Sequence, residues 1–202
     1  MNALKLLLIV LISALAGIVG FAYSGVFSAA ADDPHWRFTA RLMETTRDRS
    51  VAVHARDVGA PPALDDASLI AMGAEHYSEM CTGCHLAPGK AETEIRAGLY
   101  PKPPELAKPG TRRTPEQAFW IIKHGLKMTG MPAWGATHDD RSVWAMVAFV
   151  QKLPELSPAE YEALVAEGQN SEHSHADGET GEHAESHTHA HGDEHEHEHN
   201  NG

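Results

Sequence analysis

Cysteine is nearly absent from this chain. Of 202 residues only Cys81 and Cys84 are cysteines, which excludes the disulfide framework that staples many small secreted domains. A zinc site built on cysteine pairs is excluded as well, because such sites need four ligands and there is no second pair. A disulfide between Cys81 and Cys84 would close too short a loop to stabilise much. No run of β-branched residues suggests strands, so the βαβ setting expected of a redox dithiol is missing. Basic residues are missing where the chain is most charged. Residues 171–202 hold nine Asp and Glu and no Lys or Arg, and they supply most of the net charge of −12. The remainder carries 19 acidic against 16 basic residues, and no basic patch marks a nucleic-acid surface.

The two cysteines that are present stand in Cys81-Thr82-Gly83-Cys84-His85. C-x-x-C-H is the attachment signal for a c-type haem. Two thiols add across the two vinyl groups, and the next residue must set an imidazole under the iron. The motif therefore points to a covalent haem, a compartment outside the reducing cytosol and one-electron transfer.

Three compositions lie end to end. Residues Leu6 to Phe27 are apolar or small, with no charge after Lys5. That length suffices to cross a bilayer as a helix, for which about 20 residues are needed. Ala29-Ala30-Ala31 offers a small-residue cleavage site of the kind that follows a shorter signal segment. We read the leader as a retained anchor; the alternative is a cleaved signal, and both export residues 32–202. Asp33 and Pro34 look like the N-cap and first position of a juxtamembrane helix over about residues 34–50. Trp36 suits the headgroup level, and Arg37, Arg41, Arg47 and Arg49 suit water or phosphate; an ordinary amphipathic connector fits the same pattern. Val58-Gly59-Ala60-Pro61-Pro62 reads as a linker. The boundaries expected are an anchor or signal at 1–28, a juxtamembrane helix and linker at 29–64, a folded domain at 65–168 and a disordered His/Glu-rich tail at 169–202.

The middle is helical by pattern. Asp65 or Asp66 can cap a helix whose Leu69, Gly73, His76 and Met80 recur at i+3/i+4. Gly73 costs up to ~1 kcal/mol there relative to Ala, which predicts another helix passing close above it. Gly98-Leu99-Tyr100-Pro101-Lys102-Pro103-Pro104-Glu105-Leu106 cannot be helix interior. It can present a carbonyl to the second nitrogen of His85. Thr114-Pro115-Glu116-Gln117 starts a helix that runs through Phe119, Trp120, Ile121 and Ile122 to Gly125. The stiff stretch Met128-Thr129-Gly130-Met131-Pro132 follows. A thioether is a soft ligand suited to haem iron. Met131, between Gly130 and Pro132, is preferred over Met128, because those neighbours can fix a turn that aims it inward. His124 and His76 are the weaker candidates. Met72, Met80 and Met146 read as packing residues. Asp139 or Asp140 caps a helix with Val143, Trp144, Val147, Phe149 and Val150 on its apolar face, ended by Leu153-Pro154. Ser157-Pro158-Ala159-Glu160 opens a last helix that fades by Gly168.

Residues 66–166 resemble the class I c-type cytochromes, especially the single-haem domains of membrane-attached bacterial respiratory proteins. The matching text is Gly73-x-x-x-Tyr77-x-x-x-Cys81-x-x-Cys84-His85, Tyr100-Pro101-x-Pro103-Pro104, Thr129-Gly130-Met131-Pro132-Ala133-Trp134 and Trp144-x-x-x-x-Phe149. The resemblance implies an all-α cytochrome c fold of about four or five helices around one covalent haem. It implies thioethers at Cys81 and Cys84, His85 as proximal ligand and Met131 as distal ligand. Gly73 and Tyr77 would sit at the contact of the first and last helices opposite Trp144 and Phe149, and Pro103 or Pro104 would accept from His85. Trp120, Trp134 and Tyr100 are candidate walls of the haem shell or plain packing. The expected role is electron transfer rather than enzyme catalysis, with redox proteins, membrane complexes among them, as partners. The expected place is the inner membrane with the haem domain on the periplasmic side; the alternative is a soluble periplasmic protein.

The tail from 171 to 199 holds nine histidines among polar and small residues too poor in apolar surface to order it. His187, His189 and His191, or His195, His197 and His199, could gather Zn, Cu or Ni ions. Two further readings thus accompany electron transfer: a sensor or peroxidase with a labile sixth ligand, and a metal-handling protein acting through the tail.

Overall fold

The computed structural model describes residues 2–111 and 113–176. Among them there are α-helices and short 3-10 turns and no strand, which bears out the all-α expectation. The first helix, α1 (Ala3–Tyr23), has 21 residues, is wholly exposed, and is long and apolar enough to cross a membrane. It fits a membrane anchor or a signal segment alike.

Beyond it, α2 (Arg37–His54) is followed by a 3-10 turn at Ala55–Asp57. The domain proper holds α3 (Ala67–Met80), the one-turn α4 (Thr82–His85), α5 (Glu94–Gly98), α6 (Pro115–His124), α7 (Asp140–Lys152) and α8 (Pro158–Ala176). Local chemistry explains where these begin. Asp66 accepts from the Ser68 and Leu69 amides at 2.9 and 3.0 Å. Thr114 accepts from the Gln117 amide at 3.3 Å, and Asp139 from that of Ser142 at 2.8 Å. Ser157 and Glu160 close the expected reciprocal box at 2.8 and 3.3 Å.

The core is a stack in which α3 packs on α7 and α8, α7 packs on α6, and α6 packs on α2. Tyr77, Phe149, Leu153, Tyr161 and Val165 form its centre, with the Tyr77 and Phe149 rings 5.3 Å apart. A second cluster joins Ala118, Phe119, Val143 and Val147, and Val58 and Leu64 pack against it. The 58–62 segment, which reads as a linker, thus touches the domain through Val58. Gly73 is where the predicted close approach occurs: a Cβ there would lie 2.0 Å from the Ala145 carbonyl oxygen and 2.9 Å from Phe149 Cβ. Trp144 differs from its expected partner. It stacks on Phe119 at 4.3 Å, because it leaves α7 on the α6 side.

Two helix limits differ from the sequence reading. The second helix starts at Arg37 rather than at 34 and runs on to His54. Its start is displaced because the His35 amide donates to the Tyr100 hydroxyl at 3.1 Å and its ring meets that of Tyr100, which holds the chain out of helix. Its end is prolonged because Val51 and Ala55 are buried. The last helix does not fade at Gly168 but continues to Ala176. Gly168 is a contact point: a Cβ there would come 2.3 Å from the Ala71 carbonyl oxygen on α3. Residues 169–176 of the expected tail are therefore helical, and the rest of the tail, with His187, His189, His191, His195, His197 and His199, lies outside the described residues.

Candidate haem site

The end of α3 feeds directly into α4, so Cys81, Cys84 and His85 share one helical turn. The Cys84 and His85 amides both donate to the Cys81 carbonyl, at 3.1 and 2.8 Å. Helical spacing puts residues three and four apart on one side, which is how a C-x-x-C-H stretch presents two thiols and an imidazole together. Neither thiol is in a disulfide. Burial, with a smaller contribution from Cys84, pushes the Cys81 thiol up to about 12, so it favours an uncharged sulfur.

His85 donates from Nδ1 to the Pro104 carbonyl at 2.8 Å. Nε2 is left as the free ring nitrogen, and the tautomer is set. Burial lowers the pKa of His85; the Pro104 bond opposes this, and the charge of Arg96 adds to it. This favours the neutral ring, in which Nε2 carries the lone pair. Of the two prolines offered by the sequence, Pro104 is the acceptor. Leu106 returns to the same turn, its amide donating to the His85 carbonyl at 3.4 Å.

Arg96 holds the proline loop in place, and sequence reasoning missed it. The side chain is buried. It donates to both Glu92 oxygens at 2.9 and 2.8 Å, to the Pro103 carbonyl at 3.1 Å and to Glu105 at 3.2 Å. The Glu92 and Glu105 carboxyls lie below their ordinary values, chiefly through hydrogen bonds from Lys102 and Lys108 respectively. Thr93 ties the same region to the haem motif by donating to the Gly83 carbonyl. An Arg in a short helix among prolines has no local signature, so only the neighbouring Glu residues could have hinted at its burial. Leu86 was missed too. It follows His85 with φ of 60° and ψ of −177°, in a region nearly reserved for glycine. Its carbonyl accepts from the Tyr77 hydroxyl at 2.6 Å.

The methionine loop is folded tightly. The Leu126 amide donates to the Met131 carbonyl at 3.2 Å, and the Met131 amide donates to Thr129 Oγ1 at 3.1 Å. Gly125 has φ of 65°, and a Cβ there would fall 2.7 Å from Met131 and Pro132 backbone atoms. Gly130 lies against Leu99, where a Cβ would be 2.8 Å from a methyl group. Met128 is left with its side chain 76 % exposed, whereas Met131 is half-buried. The remaining candidates have partners elsewhere. Trp120 lies between the rings of His54 and His124, at 5.4 and 5.2 Å. Tyr100 meets His35, and Trp134 meets His138 at 5.7 Å. His76 faces His138 at 5.4 Å. Met146 is buried, as a packing residue should be.

Unpaired thiols on one turn, an imidazole with one nitrogen already engaged and a half-buried setting all suit a covalent haem. Residues 68–150 match the family model described as cytochrome c oxidase, cbb3-type, subunit III. The match supports a c-type cytochrome domain over these residues. That family carries covalent haem c and transfers electrons through it. No curated protein and no solved structure matches the chain. Among the described residues of the cytochrome, no cluster of three or more His, Cys, Asp or Glu side chains could hold a separate metal ion.

Proposed function

We propose that this cytochrome is a membrane-attached one-electron carrier of a respiratory or related redox chain. Its haem is joined to Cys81 and Cys84 and ligated by His85 and Met131. The observation that carries the reading is the bond from His85 Nδ1 to Pro104, 2.8 Å long, which leaves Nε2 as the one ligating atom of a fixed ring. The haem, when bound, supplies a one-electron iron couple. The chain supplies the rest. Pro104 orients the ring. Tyr77, by donating to the Leu86 carbonyl, fixes the backbone just after it. The bonds made by Thr129 and Leu126 hold Met131 in a loop that does not need to move. Were His85 and Met131 both to hold the iron, no position would be left open for a substrate, and the one-electron couple would need little rearrangement of the chain. Exposure of Met128 supports Met131 as the thioether ligand.

The haem domain spans 65–168, preceded by an anchor at 1–28 and a juxtamembrane part at 29–64, and its place is the periplasmic face of the inner membrane. The family's description as an oxidase subunit supports membrane redox complexes as partners. The test is a set of optical spectra of the haem-loaded protein, oxidised and reduced, with and without CO. A low-spin spectrum with a ferric methionine–iron charge-transfer band, unchanged by CO, is expected. A high-spin spectrum or ready CO binding would replace this reading by the sensor or peroxidase.

A further inference from the structure

The second helix has two faces of opposite character. Ala40, Met43, Arg47, Val51 and Ala55 recur at three- and four-residue steps and turn toward the domain, where Val51 and Ala55 are buried. That face is fastened by Asp48, which accepts from Arg113 at 2.9 Å, and by His54 stacked on Trp120. Phe38, Leu42, Thr45, Arg49, Val53 and Arg56 form the opposite stripe at the same steps, and all are exposed. Phe38, Leu42 and Val53 stay 78, 56 and 51 % accessible. Arg41 stands beside the stripe, and no acidic residue lies within it. Trp36, just before the helix, is 78 % exposed.

An apolar stripe interleaved with arginine and free of carboxylates is the pattern of a helix lying at a lipid surface. Buried apolar area and attraction to anionic headgroups then act together, each surface Lys or Arg adding to the second. A source for that surface is close by in the chain. Residues 24–36 are all that separates this helix from α1, which is long enough to cross a membrane, and Trp36 lies on that short connection, where indoles favour the interface. We propose that the outward stripe of α2 rests on an anionic lipid surface. The inward stripe stays docked on α6, so the helix is a shared wall between bilayer and haem domain. The domain is then held at one bearing instead of swinging on a free linker. The Tyr100 loop is on the membrane-proximal side, since the His35 amide and ring are fastened to Tyr100.

The inference rests on α1 being retained, which the intact mass of the purified protein reads separately. The test uses the full haem-loaded chain in nanodiscs that contain phosphatidylglycerol. Phe38→Cys, Leu42→Cys and, on the flank of the helix, Glu44→Cys are each spin-labelled. Attached haem consumes Cys81 and Cys84, so labelling of the parent protein would show failure of the haem reading and not of this one. Labels at 38 and 42 are expected to be several-fold more accessible to oxygen than to a water-soluble nickel chelate, with the order reversed at 44. Arg41→Glu combined with Arg49→Glu should move the labels at 38 and 42 toward the aqueous pattern. Equal aqueous exposure at all three positions overturns the proposal. So does an aqueous pattern in nanodiscs that becomes shielding from both reagents in native membranes, which would mean that another protein covers the stripe.

Discussion

Arg96 concentrates on one buried guanidinium the anchoring of a helix, two carboxylates and the carbonyl next to the one that orients His85. Arg96→Gln removes hydrogen bonds to charged partners, each worth about 1.5–3 kcal/mol when well formed. Because Glu92 and Glu105 remain partly exposed, a net loss of about 2 kcal/mol is expected in urea unfolding. Faster exchange of the His85 Nδ1 proton should accompany it. Leu86 gives a sharper prediction. Its backbone lies where non-glycine residues carry about 1–3 kcal/mol of strain, yet its side chain is buried. Leu86→Ala loses packing and keeps the strain, whereas Leu86→Gly loses packing and relieves it. Glycine should therefore be the less damaging of the two, an inversion that equilibrium unfolding would read directly. At the methionine loop, Met131→Leu should abolish the ferric charge-transfer band, and Met128→Leu should leave it in place. The C-x-x-C-H turn and the methionine loop were legible in the sequence because the proposed thioether attachment and ligation would demand fixed types at fixed spacing. Arg96 and Leu86 were not, because their importance comes from contacts with residues that the spacing does not reveal.

Helix–helix contact in this cytochrome depends on glycines at two crossings. Gly73→Ala would place a methyl group 2.0 Å from the Ala145 oxygen. Alanine is the better helix former by up to ~1 kcal/mol, but forcing α3 from α7 should outweigh that, with about 2 kcal/mol of net destabilisation. Thermal unfolding of the variant would measure it. The helix starts were readable because a cap is a bond between residues two or three apart, as at Asp66, Thr114, Asp139 and Ser157. Gly168 shows why an end was not. A glycine that stops a helix and one that admits a neighbouring helix look alike in one dimension. The placement of α2 was equally out of reach, since its start answers to Tyr100 and its flank to Arg113, 65 positions away in both cases. The Asp48–Arg113 contact also has a pH signature. Burial would raise the Asp48 pKa, but hydrogen bonds from Arg47 and Arg113 hold it below its ordinary 3.8. A depressed carboxylate stabilises the folded state above the unfolded value and ceases to do so as pH falls through the folded one. Docking of α2 should thus be constant from neutral pH down to about 4 and weaken below it. Asp48→Asn should remove that dependence, as hydrogen exchange in α2 would show.

At the scale of the molecule, most of the net charge and the proposed haem site lie in separate parts of the chain. Deleting residues 171–202 removes nine of the 28 acidic residues and nine of the 15 histidines. The optical spectrum and reduction potential should survive that deletion, while any uptake of zinc or nickel by the tail should disappear. In the full chain uptake should fall as pH drops through about 6.5, where imidazoles take up protons. The attachment of α2 reaches further than its position in the chain suggests. The alanines at 29–31 lie ahead of every residue that fastens it, from His35 at the Tyr100 loop to Ala55 beneath α6. A protease cutting there would sever α1 and leave the rest of the architecture whole. Tethered and released forms would then be one folded object with different freedom to travel, and a single processing event would decide between lateral diffusion and diffusion in three dimensions.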